Sequence, residues 1–309
     1  MPFVRDPDVR YGQAERLSPL IQRVIARNPG PFTYTGTATF LVGDDQGPVA
    51  VIDPGPDDPD HLEALLAALG TRPVSHILVT HTHRDHSPLS AALARVVGAP
   101  ILAAGPAPVH VMQDGAQLDA GQDTDFQPDH LLADGDRIAG PGWTLETLAT
   151  PGHASNHLAF ALLEENALFS GDHIMGWSTT IVAAPDGDMT DYLGSLDRVI
   201  ARGFSTLRPT HGPAVTDPAP FLAGVRAHRL YREAQILAQL RHGPRAISDM
   251  VPVLYAAVDP GLWPAAALSV EAHLIKLLGE GRVVGLLRPH SRPSIGWPKG
   301  SAASLRRSC

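Results

Sequence analysis

Cysteine is almost missing from this 309-residue chain: the single one, Cys309, is the last residue. No intrachain disulfide can form, and no thiolate can serve a zinc site in the body of the chain. Charged residues are sparse at 18%. No apolar run of about 18 or more escapes interruption by Gly, Pro or charge, so no segment is expected to span a membrane. The opening MPFVRDPDVRYGQAERL lacks the apolar core of a signal peptide, and a cytoplasmic protein is expected. Internal repeats are missing too, and the 29 glycines and 29 prolines are scattered as turn signals. What is plentiful is apolar material, 44% of residues, enough to build a core and to exclude wholesale disorder. The length suits one large domain and one small one.

Charge is unevenly placed. Residues 1–200 hold 10 Lys and Arg against 26 Asp and Glu, a net of −16; residues 201–309 hold 14 against 6, a net of +8. Five of those 14 (Arg288, Arg292, Lys299, Arg306, Arg307) lie in the final tail. Such an end either contacts nucleic acid or solvates a terminus.

Along the chain, TATFLVG (37–43) and PVAVIDPG (48–55) read as strands joined by a DDQG hairpin turn. An acidic-fronted helix ending at Gly70 follows, then the strand VSHILVT (74–80), a helix opened by Ser-Pro and closed by Gly98, and the strand PILAA. That alternation is the signature of an α/β layered domain. Residues 105–141 signal weakly. The rhythm resumes with strands at 143–150, 158–164 and 167–170, a helix over 190–203, and a short strand at 206–209. After DPAPF the texture turns helical: 221–243, ISDMVPVLY, AALSVEAHLIKLLGEG, then a small β segment RVVGLL. Helix, helix, helix and hairpin is the plan of a winged-helix module. The expected domains are 1–220, 221–288 and a flexible basic tail over 289–309, with the boundary between 215 and 230.

The stretch VTHTHRDHSPLS packs His81, His83, Asp85 and His86 into six residues at the end of a strand. C-terminal strand ends are where sites form in open α/β sheets. The spacing offers two nitrogens to one metal, and a carboxylate and a nitrogen to a neighbour. Three more signals fall at strand ends: His153 in TPGH, Asp172 in FSGDH and His211 in PTHG. Each is weak alone; together they complete two coordination spheres. Nitrogen and oxygen donors without thiolate suit zinc, and also manganese or iron. Two ions about 3.5–4 Å apart can share a hydroxide, lowering the pKa of water towards about 7, and can clamp the oxyanion formed at a carbonyl or phosphoryl centre. Asp85 could orient the attacking water and shuttle its proton. The reaction class is hydrolysis. Ser178, Thr179 and Tyr192, with Trp177, are candidate substrate contacts just beyond Asp172. His157 could orient a metal ligand or simply be buried, and His173 is expected to point away from Asp172. His61, His76, His110, His130, His228, His242, His273 and His290 have no matching context.

HTHRDH matches the H-x-H-x-D-H motif fully, and with the later signals in order the chain resembles the metallo-β-lactamase superfamily over about residues 30–215. The resemblance implies an αββα sandwich with two Zn²⁺ at one edge and a metal-bridging hydroxide as the nucleophile. His81, His83 and His153 would hold one ion; Asp85, His86 and His211 would hold the other, with Asp172 bridging, and Asp53 resembles the superfamily's supporting aspartate below the histidines. True β-lactamases usually lack the bridging aspartate, so Asp172 points to the glyoxalase II and nuclease branches, with β-lactam hydrolysis a weak side activity at most.

With the helical module included, the chain resembles the lactamase-like protein 2 group, whose studied members are endoribonucleases on single-stranded RNA. Two features depart from that pattern. The third helix carries just one lysine, Lys276, where groove-reading helices are basic; the module is expected to serve as a lid or a homodimer surface. The catalytic domain is also strongly acidic, which opposes a polyanion. A small acyl thioester, ester or lactone is therefore the alternative substrate to RNA.

Overall fold

A computed structural model of the chain describes residues 3–6, 8–108, 121–286 and 294–296. Most of the basic tail, including Arg288, Arg292, Lys299, Arg306 and Arg307, lies outside the described residues, as do His110 and His290.

Seven strands form a first sheet whose spatial order follows the chain: β1 (Glu15–Arg16), β2 (Ile21–Ile25), β3 (Ala38–Val42), β4 (Val49–Ile52), β5 (Val74–Leu78), β6 (Ile101–Ala103) and β7 (His130–Leu131). Strands β1 to β4 are antiparallel, and β4 to β7 are parallel. A second sheet holds β8 (Arg137–Gly140), β9 (Trp143–Ala149), β10 (Leu158–Leu162), β11 (Ala167–Gly171) and β12 (Thr206–Pro209), in the order β12-β11-β10-β9-β8. Its pairings are antiparallel except β11 with β12.

Parallel neighbours need a crossover, and helices supply three of them. Helix α1 (Pro59–Leu69) joins β4 to β5, α2 (Leu89–Val97) joins β5 to β6, and α3 (Met189–Arg202) joins β11 to β12. Asp58 caps α1 by accepting from the Asp60 amide, and Asp188 caps α3 through two amides, satisfying first-turn donors that lack an intrahelical partner. The Ser-Pro signal acts differently from a cap. Helix α2 begins at Leu89 with no side-chain cap, while Ser87 Oγ donates to Asp123 Oδ2 at 2.6 Å. Asp85 and His86 therefore sit in the loop before the helix.

Apolar residues from both sheets, among them Ile21, Phe40, Ile52, Leu78, Trp143, Phe160 and Phe169, form one buried cluster. Each such side chain contributes about 1.5–3 kcal/mol of burial. A second cluster lies between the other face of the first sheet and α1 and α2, around Leu65, Ile77 and Leu93. Helix α3 buries Tyr192, Leu196 and Val199. The result is the expected αββα sandwich. Strand β2, outside the stretch where the resemblance begins, is an integral part of it, with Ile21 and Val24 fully buried.

The chain divides into two compact units at Arg226/Ala227, inside helix α4 (Pro218–Leu240). The second unit continues through α5 (Ile247–Leu254), α6 (Trp263–Gly279) and an antiparallel hairpin, β13 (Val284–Leu286) with β14 (Ser294–Gly296). Part of the stretch expected to be a tail is thus a paired strand. Ile236, Leu240, Met250, Val270, Leu274 and Leu277 build this unit's core. Nearly buried Glu233 accepts from Lys276 Nζ at 2.7 Å and Arg282 NH1 at 2.5 Å. No described helix is long and apolar enough to cross a membrane.

Candidate metal centre

Parallel strands end on the same side, so β4 and β5 of one sheet and β9, β11 and β12 of the other deliver their following residues to one edge. Asp53 follows β4, Thr80 to His86 follow β5, His153 follows β9, Asp172 follows β11 and His211 follows β12. The two sheets are stitched together at this edge by Leu158 N to Thr80 O at 2.7 Å and Ala38 N to Thr210 O at 2.9 Å.

All seven expected ligands converge there, each at most 8% exposed. His83 Nδ1 lies 2.8 Å from His81 Nε2 and 3.2 Å from His153 Nε2. Asp85 Oδ2 lies 3.1 Å from His211 Nε2 and 3.6 Å from His86 Nε2. Asp172 stands between the two groups: Oδ2 is 3.6 Å from His86 Nε2 and 3.7 Å from His153 Nε2, and Oδ1 is 3.4 Å from His211 Nε2.

Contacts on the outer side of four of the imidazoles turn their other ring nitrogen towards the centre. His81 Nδ1 meets Thr80 Oγ1 at 3.0 Å, His86 Nδ1 meets Asp53 Oδ2 at 2.9 Å, His153 Nδ1 meets Ile181 O at 2.7 Å and His211 Nδ1 meets Gly36 O at 3.2 Å. An imidazole that gives its Nδ1 proton to an acceptor turns a lone pair inward at Nε2, the usual arrangement of a metal-binding histidine. His86 Nε2 and Asp172 Oδ1 are buried without a hydrogen-bond partner, which is costly unless something else satisfies them. Three sets of donors, His81/His83/His153, His81/His86/Asp172 and Asp85/His86/His211, each converge within 4.8 Å. The residues fit a pair of divalent cations.

Residues 33–211 match the Metallo-beta-lactamase superfamily model, more than half of the chain. The chain belongs to the metallo-β-lactamase superfamily. It is a hydrolase of that superfamily, and residues 246–286 match the beta-lactamase associated winged helix domain. A Beta-lactamase-like protein 2 homolog of Caenorhabditis elegans is 30% identical over 292 residues, covering 94% of this chain and 93% of the relative. An Atrochrysone carboxyl ACP thioesterase of Aspergillus chevalieri is 32% identical over 289 residues, covering 90% and 85%. Among solved structures, a metallo-beta-lactamase family protein of Thermus thermophilus superposes with a TM-score of 0.73 at 24% identity, over 92% of this chain and 100% of the other. A beta-lactamase domain protein of Burkholderia ambifaria superposes with a TM-score of 0.77 at 19% identity, covering 94% and 96%. Both have the same fold.

Charge in this superfamily site is balanced internally. Burial resists ionisation of Asp172, yet His211 and His86 hold its carboxyl well below the usual range. Burial likewise opposes charge on His211, but Asp172 and Asp85 push it up to about 10. His81 and His157 shift the other way, kept neutral by burial and by neighbouring histidines.

A cavity of about 390 Å³ opens over the cluster. Its walls include Phe32, Met175, Trp177 and Ile181, and among its described lining residues Arg84 is the one Lys or Arg. Ser178 and Thr179 line it; Tyr192 does not. Tyr192 is 1% exposed with its ring 5.0 Å from His173: it lies on the buried face of α3 with Leu196 and Val199, and Gly152 packs directly on its backbone. His173 is also fully buried. Trp177 stacks on Tyr34 at 4.8 Å.

Several supporting groups escape a reading of the sequence alone. Thr80 and Thr210 each immediately precede a ligand histidine and donate their hydroxyls to Asp53; that Thr-His adjacency is the signal that could have found them. Arg84 occupies the variable position inside the motif, where residue type carries no message.

Proposed function

We propose that this chain is a dinuclear metal-dependent hydrolase that cleaves an acyl thioester joined to an anionic carrier. The cavity carries this reading: apolar walls suited to an acyl chain, and one cation, Arg84, beside the ligands His83 and Asp85. Arg84 Nε donates to Gln122 O at 3.2 Å and its amide to Gly121 O at 2.9 Å. Its two terminal amino groups have no partner among the described residues, so they are available to a carboxylate or phosphate.

His81, His83 and His153 would hold one ion and Asp85, His86 and His211 the other, with Asp172 placed to serve both. When bound, such ions would supply Lewis acidity, lowering the pKa of water towards about 7 and stabilising an oxyanion. Asp85, whose Oδ2 faces His211 and His86, would use its other carboxylate oxygen to orient the attacking water and accept its proton. The water oxygen adds to the carbonyl carbon, the C–S bond breaks, and the sulfur leaves as a thiol with the proton returned from Asp85. Phe32 and Trp177 hold the acyl group and exclude bulk water.

Single-stranded RNA has less support. The net −16 of residues 1–200 repels a polyanion. Lys276, the one basic residue of α6, is tied to Glu233 and Glu280, each at 2.7 Å. Helix α6 then serves packing, as part of a lid or a homodimer surface, and light scattering distinguishes the two.

The test is a panel of acyl-CoA, acyl-glutathione, an acylated carrier protein, a lactone, a β-lactam and an unstructured oligoribonucleotide, with zinc-loaded protein. Thioester cleavage with little salt dependence is expected. Cleavage of the oligonucleotide, steeply weakened by salt, with no thioester turnover overturns the reading.

A further inference from the structure

We infer that His157 is a positioning residue for Asp172, setting where the shared carboxylate stands through a hydrogen bond to the Asp172 backbone. This rests on the two-ion reading above.

The Asp172 amide donates to His157 Nε2 at 3.0 Å. An amide is only a donor, so Nε2 must carry a lone pair and the ring proton must sit on Nδ1. That proton has an acceptor in Thr150 Oγ1, 2.8 Å away. The neutral ring therefore ties the end of β9 to the residue after β11. Thr150 N also bonds His157 O at 2.9 Å, closing the turn that carries His153. One imidazole thus couples the loops of two ligands.

The approach is tight enough to dictate sequence. Gly171 has φ +51°, and a Cβ there would stand 2.5 Å from His157 Nε2. Glycine before Asp172 is what lets the ring reach the amide. His157 is 1% exposed, and its ring lies 5.0 Å from that of His81. It belongs to none of the converging ligand sets, so it acts through Asp172 rather than on an ion. Without this acceptor a buried N–H would be orphaned, and the loop would shift to find another partner. A carboxylate shared by two ions tolerates little displacement.

The experiment measures zinc binding to the full chain against a chromophoric chelator, for His157→Leu, His157→Gln and each combined with Asp172→Ala. Thermal unfolding of chelator-treated protein reports the fold. His157→Leu is expected to weaken zinc binding by about 10–100-fold. His157→Gln, whose Oε1 can accept from the same amide, recovers most of it. In the Asp172→Ala background the leucine variant adds less than about twofold, since no carboxylate remains to be aimed. Should His157→Leu fail to fold, Thr150→Val releases the ring without emptying its space and is expected to give a smaller loss with the same dependence on Asp172. Unchanged affinity in His157→Leu overturns the inference. So does an equal loss with and without Asp172, because the ring would then act on the site at large. Wild-type protein binding fewer than two zinc ions overturns the two-ion reading itself, before any variant is made.

Discussion

Asp53 Oδ2 accepts from His86 Nδ1 at 2.9 Å while also taking the hydroxyls of Thr80 at 2.8 Å and Thr210 at 3.0 Å. One oxygen thus registers a ligand histidine against the strand ends of both sheets. Asp53 has φ +50°, a conformation that Asp and Asn adopt more readily than other side chains. Asp53→Asn keeps the backbone and removes the charge. It should lower zinc affinity by about 10–100-fold, read by chelator competition, with circular dichroism unchanged.

Asp172→Ala removes the one carboxylate, among the described residues, within reach of both donor groups. The protein should fold, bind fewer than two ions by elemental analysis, and lose hydrolytic activity. Two ions and full turnover in this variant would sink the shared-carboxylate model.

Arg84→Ala tests the carrier end of the substrate. Hydrogen bonds to charged groups contribute about 1.5–3 kcal/mol. KM for an anionic thioester such as acyl-CoA should therefore rise roughly tenfold or more, while KM for a neutral acyl thioester stays put. A parallel rise for both would mean that Arg84 shapes the wall rather than pairs with an anion.

Phe32→Ala removes apolar wall and should raise KM more for long acyl chains than for acetyl thioesters. Equal effects on both would place the acyl group elsewhere.

His273 gives the second unit an acid-sensitive core. Burial, then Arg229, Lys276 and Arg232, lower its pKa to about 3. Its ring is fully buried and neither nitrogen has a hydrogen-bond partner. The unfolded chain takes up a proton near its ordinary value of 6.5 while the folded chain does not. Stability from this group is therefore complete above 6.5 and drains away as pH falls towards 3, at up to about 1.4 kcal/mol per pH unit. His273→Leu should flatten that slope in denaturant titrations between pH 6 and 4; an unchanged slope would assign the acid sensitivity elsewhere.

The cluster of seven converging side chains was legible because each member is a chemically distinctive residue placed just after a β-rich run, and parallel strand ends converge on one edge. The scaffold behind it was less so. Strand β2 alternates poorly, with Gln22 and Arg23 adjacent in the middle of IQRVI, so its period is hidden. Thr150 and Thr210 are common strand residues whose importance lies in what their hydroxyls meet, His157 within the same sheet and Asp53 across the sandwich. Tyr192 was expected to touch substrate because it lies near Asp172 in sequence, but the helical turn of α3 rotates it into the core. Chain proximity says which loop a residue belongs to, not which way its side chain faces.

The stitching of the two sheets at the metal edge has a consequence for how the protein is made. The first ligand is residue 81 and the last is 211, with halves of the centre carried on opposite layers. A nascent chain halted before β12 holds most of the donors and no closed site. On the two-ion reading proposed above, a complete site would form only once synthesis has passed β12 and the layers have docked, so metal content would report that this unit is whole and correctly assembled.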